Sequence, residues 1–349
     1  MSGDDVLDID GAAQSGSGMI ARQAVAYAAV TGRSIRVHDV RARRPHPGLR
    51  PQHLCAVEAV RALVGGTLEG AHLGSREFSF RPGGRRPRGL HRFDVGTAGS
   101  ATALSLALLP VLTTAVEPVT LELVGGLFQD RAPSVLHLQH VLTRLLDRMG
   151  FAVTVTLVRP GYVPTGGGVM RLTTIPTTRL TPLVAERRAA VTGVWGIALA
   201  SHLAERRVAA RMAEAARRAL AGAGHAAVLE EREDDTAPQA GACLALFADL
   251  SDGMRLGADR AGAPGRSAER IGATAARQLL DDVASGATLD RFASDQVVPF
   301  LSLAAGRSRV RLADVTDHVR TGLWLTDVFG LAAWNLADRV LTVDGRACE

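Results

Sequence analysis

One pattern constrains the fold of this chain more than any other: strand, glycine turn, apolar helix and second strand recur at long spacing. Val6-Leu7-Asp8-Ile9-Asp10 reads as a short strand that breaks at Gly11 and enters the turn Gln14-Ser15-Gly16-Ser17-Gly18. An apolar helix follows over 19–30, Thr31-Gly32 stops it, and 35–40 alternates as the next strand. The order returns in Phe93-Asp94-Val95, the turn Gly96-Thr97-Ala98-Gly99-Ser100, a helix over 101–109 and a strand over 119–124. A helix over 135–149 then leads to a strand over 151–158. A third stretch repeats the order, with a strand over 308–312, a helix from about 321 to 329 and a strand over 339–343. Internally repeated α/β units are expected from this, rather than one doubly wound sheet.

The texture changes between about 183 and 275. A strand-like run over 189–198 leads to an Ala/Arg-rich helix over 205–221, followed by strands near 226–231 and 243–250. Glu230-Glu231-Arg232-Glu233-Asp234-Asp235 falls between those strands and is expected to be an exposed turn. Residues 184–275 are therefore expected to form a small inserted α/β domain, with 1–183 and 276–349 as the repeated-unit domain. A chain of 349 residues with 47% hydrophobic side chains has core enough for both.

Charge narrows the chemistry. Lysine and arginine together number 40, and every one of them is arginine. A Gly-Lys-Ser/Thr phosphate loop, a lysine Schiff base and a lysyl-AMP ligase are all excluded. Phosphate, if bound, must be held by Arg, backbone N–H groups or a metal. Arg33, Arg36, Arg41, Arg43, Arg44 and Arg50 fall in one stretch, and Arg81, Arg85, Arg86, Arg88 and Arg92 in another. Either solvated loop charge or an anionic partner accounts for them.

Cys55, Cys243 and Cys348 form no CxxC, which argues against a zinc site or a disulfide framework. Met1-Ser2-Gly3-Asp4-Asp5 lacks the basic and apolar regions of a signal peptide. The uncharged run 95–116 is long enough to span a bilayer, but Gly96, Gly99, Ser100, Thr102 and Pro110 break it. A buried helix after a glycine turn is expected there, in a soluble cytoplasmic protein with no membrane partner.

The local strings are individually weak, since a glycine cluster usually marks only a tight turn. Their order is more specific. Ile9-Asp10-Gly11-Ala12 precedes Gly16, Gly18, Ile20 and Arg22; Arg41-Ala42 and Arg44 precede Pro47-Gly48-Leu49-Arg50-Pro51-Gln52-His53-Leu54. Glu69-Gly70-Ala71, Phe80-Arg81-Pro82-Gly83, Gly96–Ser100, Gly161-Tyr162-Val163-Pro164, Gly166-Gly167-Gly168, Ser294-Asp295-Gln296 and Thr316, His318, Thr321 follow. Over nearly the whole chain this resembles the RNA 3'-terminal phosphate cyclase family. The resemblance implies an α/β (α+β) fold of three repeated βαβαββ units, related to those of enolpyruvyl transferases, with an inserted small α/β domain.

It also implies a chemistry. A histidine would attack ATP to give a histidine–AMP phosphoramidate, AMP would pass to an RNA 3'-phosphate, and the vicinal 2'-OH would close a 2',3'-cyclic phosphate. By resemblance His318 is the nucleophile, on a loop after the strand over 308–312. Pro133, Phe292, Ala293, Ser294, Asp295 and Gln296 match ATP-binding positions, with Phe292 as the ring that stacks on adenine. Arg22, Arg41, Arg44 and Gln52 match positions that hold triphosphate or the RNA terminal phosphate, a task suited to the guanidinium fork. The implied partners are RNA 3'-phosphate ends, ATP and Mg²⁺ or Mn²⁺.

Three positions depart from the family's pattern. Its glycine turn usually reads Gly-Glu-Gly-Gly-Gly-Gln, so Ser15 stands where a metal-binding glutamate is usual. A usual glutamine appears as Leu106, and a usual asparagine after Thr321 appears as Gly322. These departures leave an alternative open: a cyclase-like protein of weakened or changed activity that binds RNA or a protein partner. A transferase of the enolpyruvyl type acting on a small anion is the third reading, and the absence of lysine weighs against it.

Overall fold

The computed structural model describes residues 6–130 and 132–346. The acidic start at Met1–Asp5, Arg131 and Cys348 lie outside the described residues. Among the described residues, sixteen strands form four sheets of four strands each.

Three of those sheets share one wiring. The first repeat runs β1 (Leu7–Asp10), α1 (Gly18–Thr31), β2 (Ile35–His38), α2 (Pro51–Val64), β3 (Gly66–Glu69) and β4 (Phe78–Pro82), in the sheet order β1-β2-β4-β3. The second runs β5 (Gly89–Asp94), α3 (Ala101–Leu112) and β6 (Val119–Gly125). It continues through α4 (Val135–His137), a π turn over Leu138–Leu142, α5 (Thr143–Arg148), β7 (Val153–Arg159) and β8 (Gly168–Thr174), in the order β5-β6-β8-β7.

The third repeat starts with β9 (Val184–Ala185) and is then interrupted. The interruption comprises β10 (Val191–Ser201), α6 (Val208–Gly222), β11 (Ala227–Glu233), β12 (Gly241–Leu250), β13 (Arg255–Ala261) and α7 (Ala268–Ala284). The repeat resumes with α8 (Ala293–Gln296), α9 (Val298–Leu303), β14 (Gly306–Arg311), α10 (Asp317–Phe329), β15 (Ala332–Ala337) and β16 (Val340–Gly345). Its sheet order β9-β14-β16-β15 matches the other two. In each repeat the first two strands are parallel and the fourth pairs antiparallel with the second and third. The fold is thus three βαβαββ units, the third split by an α/β insert.

The insert's edges differ from those read in the sequence. β9 pairs with Arg309 and Val310 and so belongs to the third repeat, while residue 275 lies inside α7, which packs on α6, β12 and β13. We therefore propose 191–284 as the inserted unit. Only the end of the acidic run is a turn: Glu230–Glu233 lies in β11, paired with β10, and Asp234-Asp235 lead into the turn after it. Glu230, Glu231 and Glu233 are exposed, and charges on this edge strand discourage pairing with another chain.

Helix α1 sits at the centre and packs on α2, α3 and α10. Ile20, Ala24, Val25 and Tyr27 are fully buried, and a helix apolar on nearly every face must be covered all round. Gln23 donates to the Tyr27 hydroxyl (2.8 Å), and Ser302 and Thr326 share a hydrogen bond at 2.9 Å, so these four buried polar side chains are partnered. Ser17 caps α1 and Gly32, at φ 71°, ends it, as the Thr31-Gly32 signal anticipates. No helix among the described residues is long and apolar enough to cross a membrane.

Candidate active site

A cleft of about 560 Å³ opens between α1, α3, the segment before α4, α8 and the start of α10. Arg22, Pro133, Phe292, Asp295, Gln296 and His318 line it, joined by Met19 and Leu106. Residues hundreds of positions apart in the chain are gathered because helices of different repeats pack together here. The amide of Ser15 donates to Thr321 Oγ1 (3.3 Å), tying the first glycine turn to α10. The amide of Ser100 donates to Gln52 Oε1 (2.9 Å), tying the second to α2.

His318 lies in the first turn of α10, not on a loop. Thr316 caps that helix by accepting from Val319 N, and Asp317 opens it. The imidazole Nδ1 stands 3.3 Å from Asp295 Oδ2, with the ring 46% exposed and the carboxylate 22% exposed. Burial pushes the Asp295 carboxyl up, and His318 pulls it back. A carboxylate on Nδ1 fixes the ring's orientation and leaves Nε2 free, as in other histidine–carboxylate pairs.

Arg22 is half-buried on the cleft wall, and its pKa is pushed down to about 10 by burial and by Arg41, with Asp295 opposing. Among the described residues no carboxylate lies within ion-pair distance of it, whereas Arg291 on the same cleft is paired with Asp282 at 2.7 Å. Half-buried and unpaired, Arg22 suits an incoming anion.

The other sequence-singled arginines stand behind this wall. Arg41 donates to the carbonyls of His46 and Gly48, and Arg44 to those of Ser15 (2.7 Å) and Gly16 (3.3 Å). They brace loops, and neither they nor Gln52 line the cleft. Ala293 and Ser294 do not line it either; both are buried, and Ser294 Oγ donates to the Asp290 carbonyl at 2.7 Å. Leu106, a departure from the family's pattern, is on the cleft surface, while Gly322 faces Val298 and Met19.

The family's metal does not fit the glycine turn of this chain. Ser15 Oγ is hydrogen-bonded to Ser17 Oγ (3.0 Å), and the carbonyls of Gln14, Ser15 and Gly16 accept from Arg43 and Arg44. A divalent cation needs free oxygens and carboxylates, not guanidinium neighbours. Asp10, His38 and Asp39 bring ligand atoms within 4.8 Å of one another. Asp10 is engaged by the amide of Ala12 (2.7 Å), however, and His38 by Asp39 (3.0 Å). No step below is routed through a resident metal.

Fold and cleft together define a class: an enzyme-like triple α/β repeat with a histidine–carboxylate pair and a free arginine where the repeats meet. The model of the RNA 3'-terminal phosphate cyclase family matches residues 13–335. RNA 3'-terminal phosphate cyclase from Hyperthermus butylicus is 40% identical over 327 residues, 91% of this chain and 90% of its own. The proteins of that name from Thermococcus onnurineus and Caldivirga maquilingensis are 37% and 36% identical, each over 93% of this chain and over 93% and 92% of their own. The chain belongs to the RNA 3'-terminal phosphate cyclase family, and with it to the ligases. Among solved structures, the enolpyruvyl transferase NikO from Streptomyces tendae aligns with 98% of this chain and 48% of its own, at 13% identity and a TM-score of 0.37. That likeness is too distant to bear on the chemistry.

Proposed function

We propose that this chain converts an RNA 3'-phosphate to a 2',3'-cyclic phosphate at the expense of ATP, through His318–AMP. Nε2 of His318 attacks the α-phosphorus, forming a P–N bond as the bond to pyrophosphate breaks. An oxygen of the RNA 3'-phosphate then attacks the phosphoramidate, freeing His318 and leaving AMP on the RNA end. The 2'-OH attacks the activated 3'-phosphorus, loses its proton and displaces AMP. Histidine suits the first step because neutral imidazole is available near neutrality. Pro133 and Phe292 flank the adenine, and Arg22 takes phosphate charge that develops in line with Nε2. A divalent ion that arrives on ATP's phosphates belongs to the substrate. Arg41, Arg44 and Gln52 serve by holding the loops that receive the RNA end.

One observation carries this reading: His318, oriented by Asp295 at 3.3 Å, opens on a cleft that also presents an unpaired arginine. The test is incubation with α-labelled ATP and Mg²⁺ or Mn²⁺. The expected result is acid-labile, alkali-stable labelled protein, with the label abolished in His318→Ala. No label on the wild-type chain would overturn the reading. RNA binding without label would instead favour a binding module, which the loss of a carboxylate at Ser15 makes the second reading.

A further inference from the structure

The cleft is lined by Pro133 from the segment before α4 and by Phe292 and Asp295 from the segment that forms α8. Behind them lies a buried cluster that the proposed reaction does not use. Asp290 is fully buried and sits just before α8. Its carboxylate accepts from His137 Nε2 (3.0 and 3.1 Å), from Gly257 N (2.8 Å) and from the amides of Phe292 and Ala293 (both 2.9 Å). One carboxylate therefore joins α4, strand β13 of the insert and the start of α8. A second insert carboxylate, Asp259, accepts from Ser134 N at 2.7 Å, beside Pro133.

His137 is the centre of this arrangement. It is fully buried, and its ring stands edge-on to Phe292 at 5.4 Å. Gly257 leaves it room, because a Cβ there would lie 2.9 Å from His137 Cδ2. The charged groups that face it are Asp290 from the α7–α8 connection, Asp259 from β13 and Asp295 from α8. Burial opposes a charge on His137, but these three carboxylates overcome it and raise its pKa, while His137 in turn holds Asp290 below the usual carboxylate range against burial. Each member of the pair thus favours the charged form of the other, and removing either leaves a buried polar group without its partner.

We propose that His137 and Asp290 are positioning residues for the nucleotide, setting the distance between the Pro133 wall and the Phe292–Asp295 wall through the insert. This rests on the reading of the cleft as an ATP site. The pair touches no reacting atom, so it acts on nucleotide affinity and on the placement of Asp295 behind His318.

The experiment measures affinity for the non-hydrolysable analogue α,β-methylene-ATP by calorimetry, from about pH 6 to about pH 9. Wild type is compared with His137→Gln, which keeps a neutral donor, and His137→Phe, which keeps a ring. Wild-type affinity is expected to fall as pH rises past the raised histidine value, because deprotonation leaves Asp290 uncompensated. His137→Gln is expected to bind at least about fivefold more weakly at neutral pH and to lose that alkaline fall, with adenylylation at saturating ATP changed less than KM. Should His137→Phe fail to fold, the wild-type pH profile and His137→Gln still decide the matter. Normal binding with the same profile in wild type and His137→Gln overturns the positioning role alone. A wild-type chain that binds no adenine nucleotide overturns the ATP reading, and this role with it.

Discussion

Gly18 and His53 are locked together: a Cβ on Gly18 would lie 2.0 Å from His53 Nε2, so no other residue fits the start of α1. His53 is buried, and burial, then Arg22, Arg41 and Arg50, push its pKa down to about 2. The unfolded chain takes up this proton near the ordinary value of about 6.5, but the folded chain takes it up only near 2. Stability tied to the neutral ring is complete above about pH 6.5 and is lost below it, at about 1.4 kcal/mol per pH unit. Urea unfolding at about pH 7 and about pH 5 should show a loss of about 2 kcal/mol that His53→Gln removes; equal losses in both proteins would refute the assignment. Ser15 makes a second residue-scale case. With Arg44 on its carbonyl, a carboxylate introduced there pairs with guanidinium rather than metal. Ser15→Glu should leave the rate of histidine labelling unchanged or lower at any Mg²⁺ concentration, and a rise of about tenfold would mean the turn does hold a metal.

At the level of elements, the sequence reveals what periodicity and punctuation encode. The turn–helix units after β1 and β5 are legible because glycines and capping serines bracket apolar runs. Helix α10 begins four residues before the start expected at about 321, although Thr316-Asp317 is an ordinary start signal, and so His318 is helical. Strand β9 is two residues long and pairs with β14 only after the whole insert has intervened, which leaves no local signal. The cap matters to the site, because it fixes the turn that carries His318. Thr316→Ala should cost about 1 kcal/mol of stability. It should also slow histidine labelling several-fold, with nucleotide affinity nearly kept, as the ring drifts from Asp295. Thermal unfolding and single-turnover labelling together check this; a stability loss with unchanged labelling would show that Asp295 alone holds His318.

For the whole molecule, Arg22, Asp295 and His318 lie on contiguous strings and line one cleft, whereas the struts between strings carry no local mark. His137 and Asp290 are 153 residues apart and meet only through the insert, so nothing local marks either. Composition gives a different global handle, because a chain whose cations are all arginine separates two kinds of chemical modification. Amine-directed acylation has no lysine to reach, so acetylation followed by hydroxylamine should leave cyclisation intact. Phenylglyoxal attacks guanidine in its neutral form. Arg22, with its pKa held down to about 10, carries more of that form in mild alkali than an ordinary arginine does. Inactivation by phenylglyoxal at about pH 9 should therefore show a fast phase that ATP suppresses and that Arg22→Ala lacks. Were ATP to give no protection, or acetylation to inactivate equally fast, the anion-binding role of the cleft arginine would fall. Slower inactivation at the braced Arg41 and Arg44 is compatible with that role, since their guanidinium groups are already bonded to loop carbonyls.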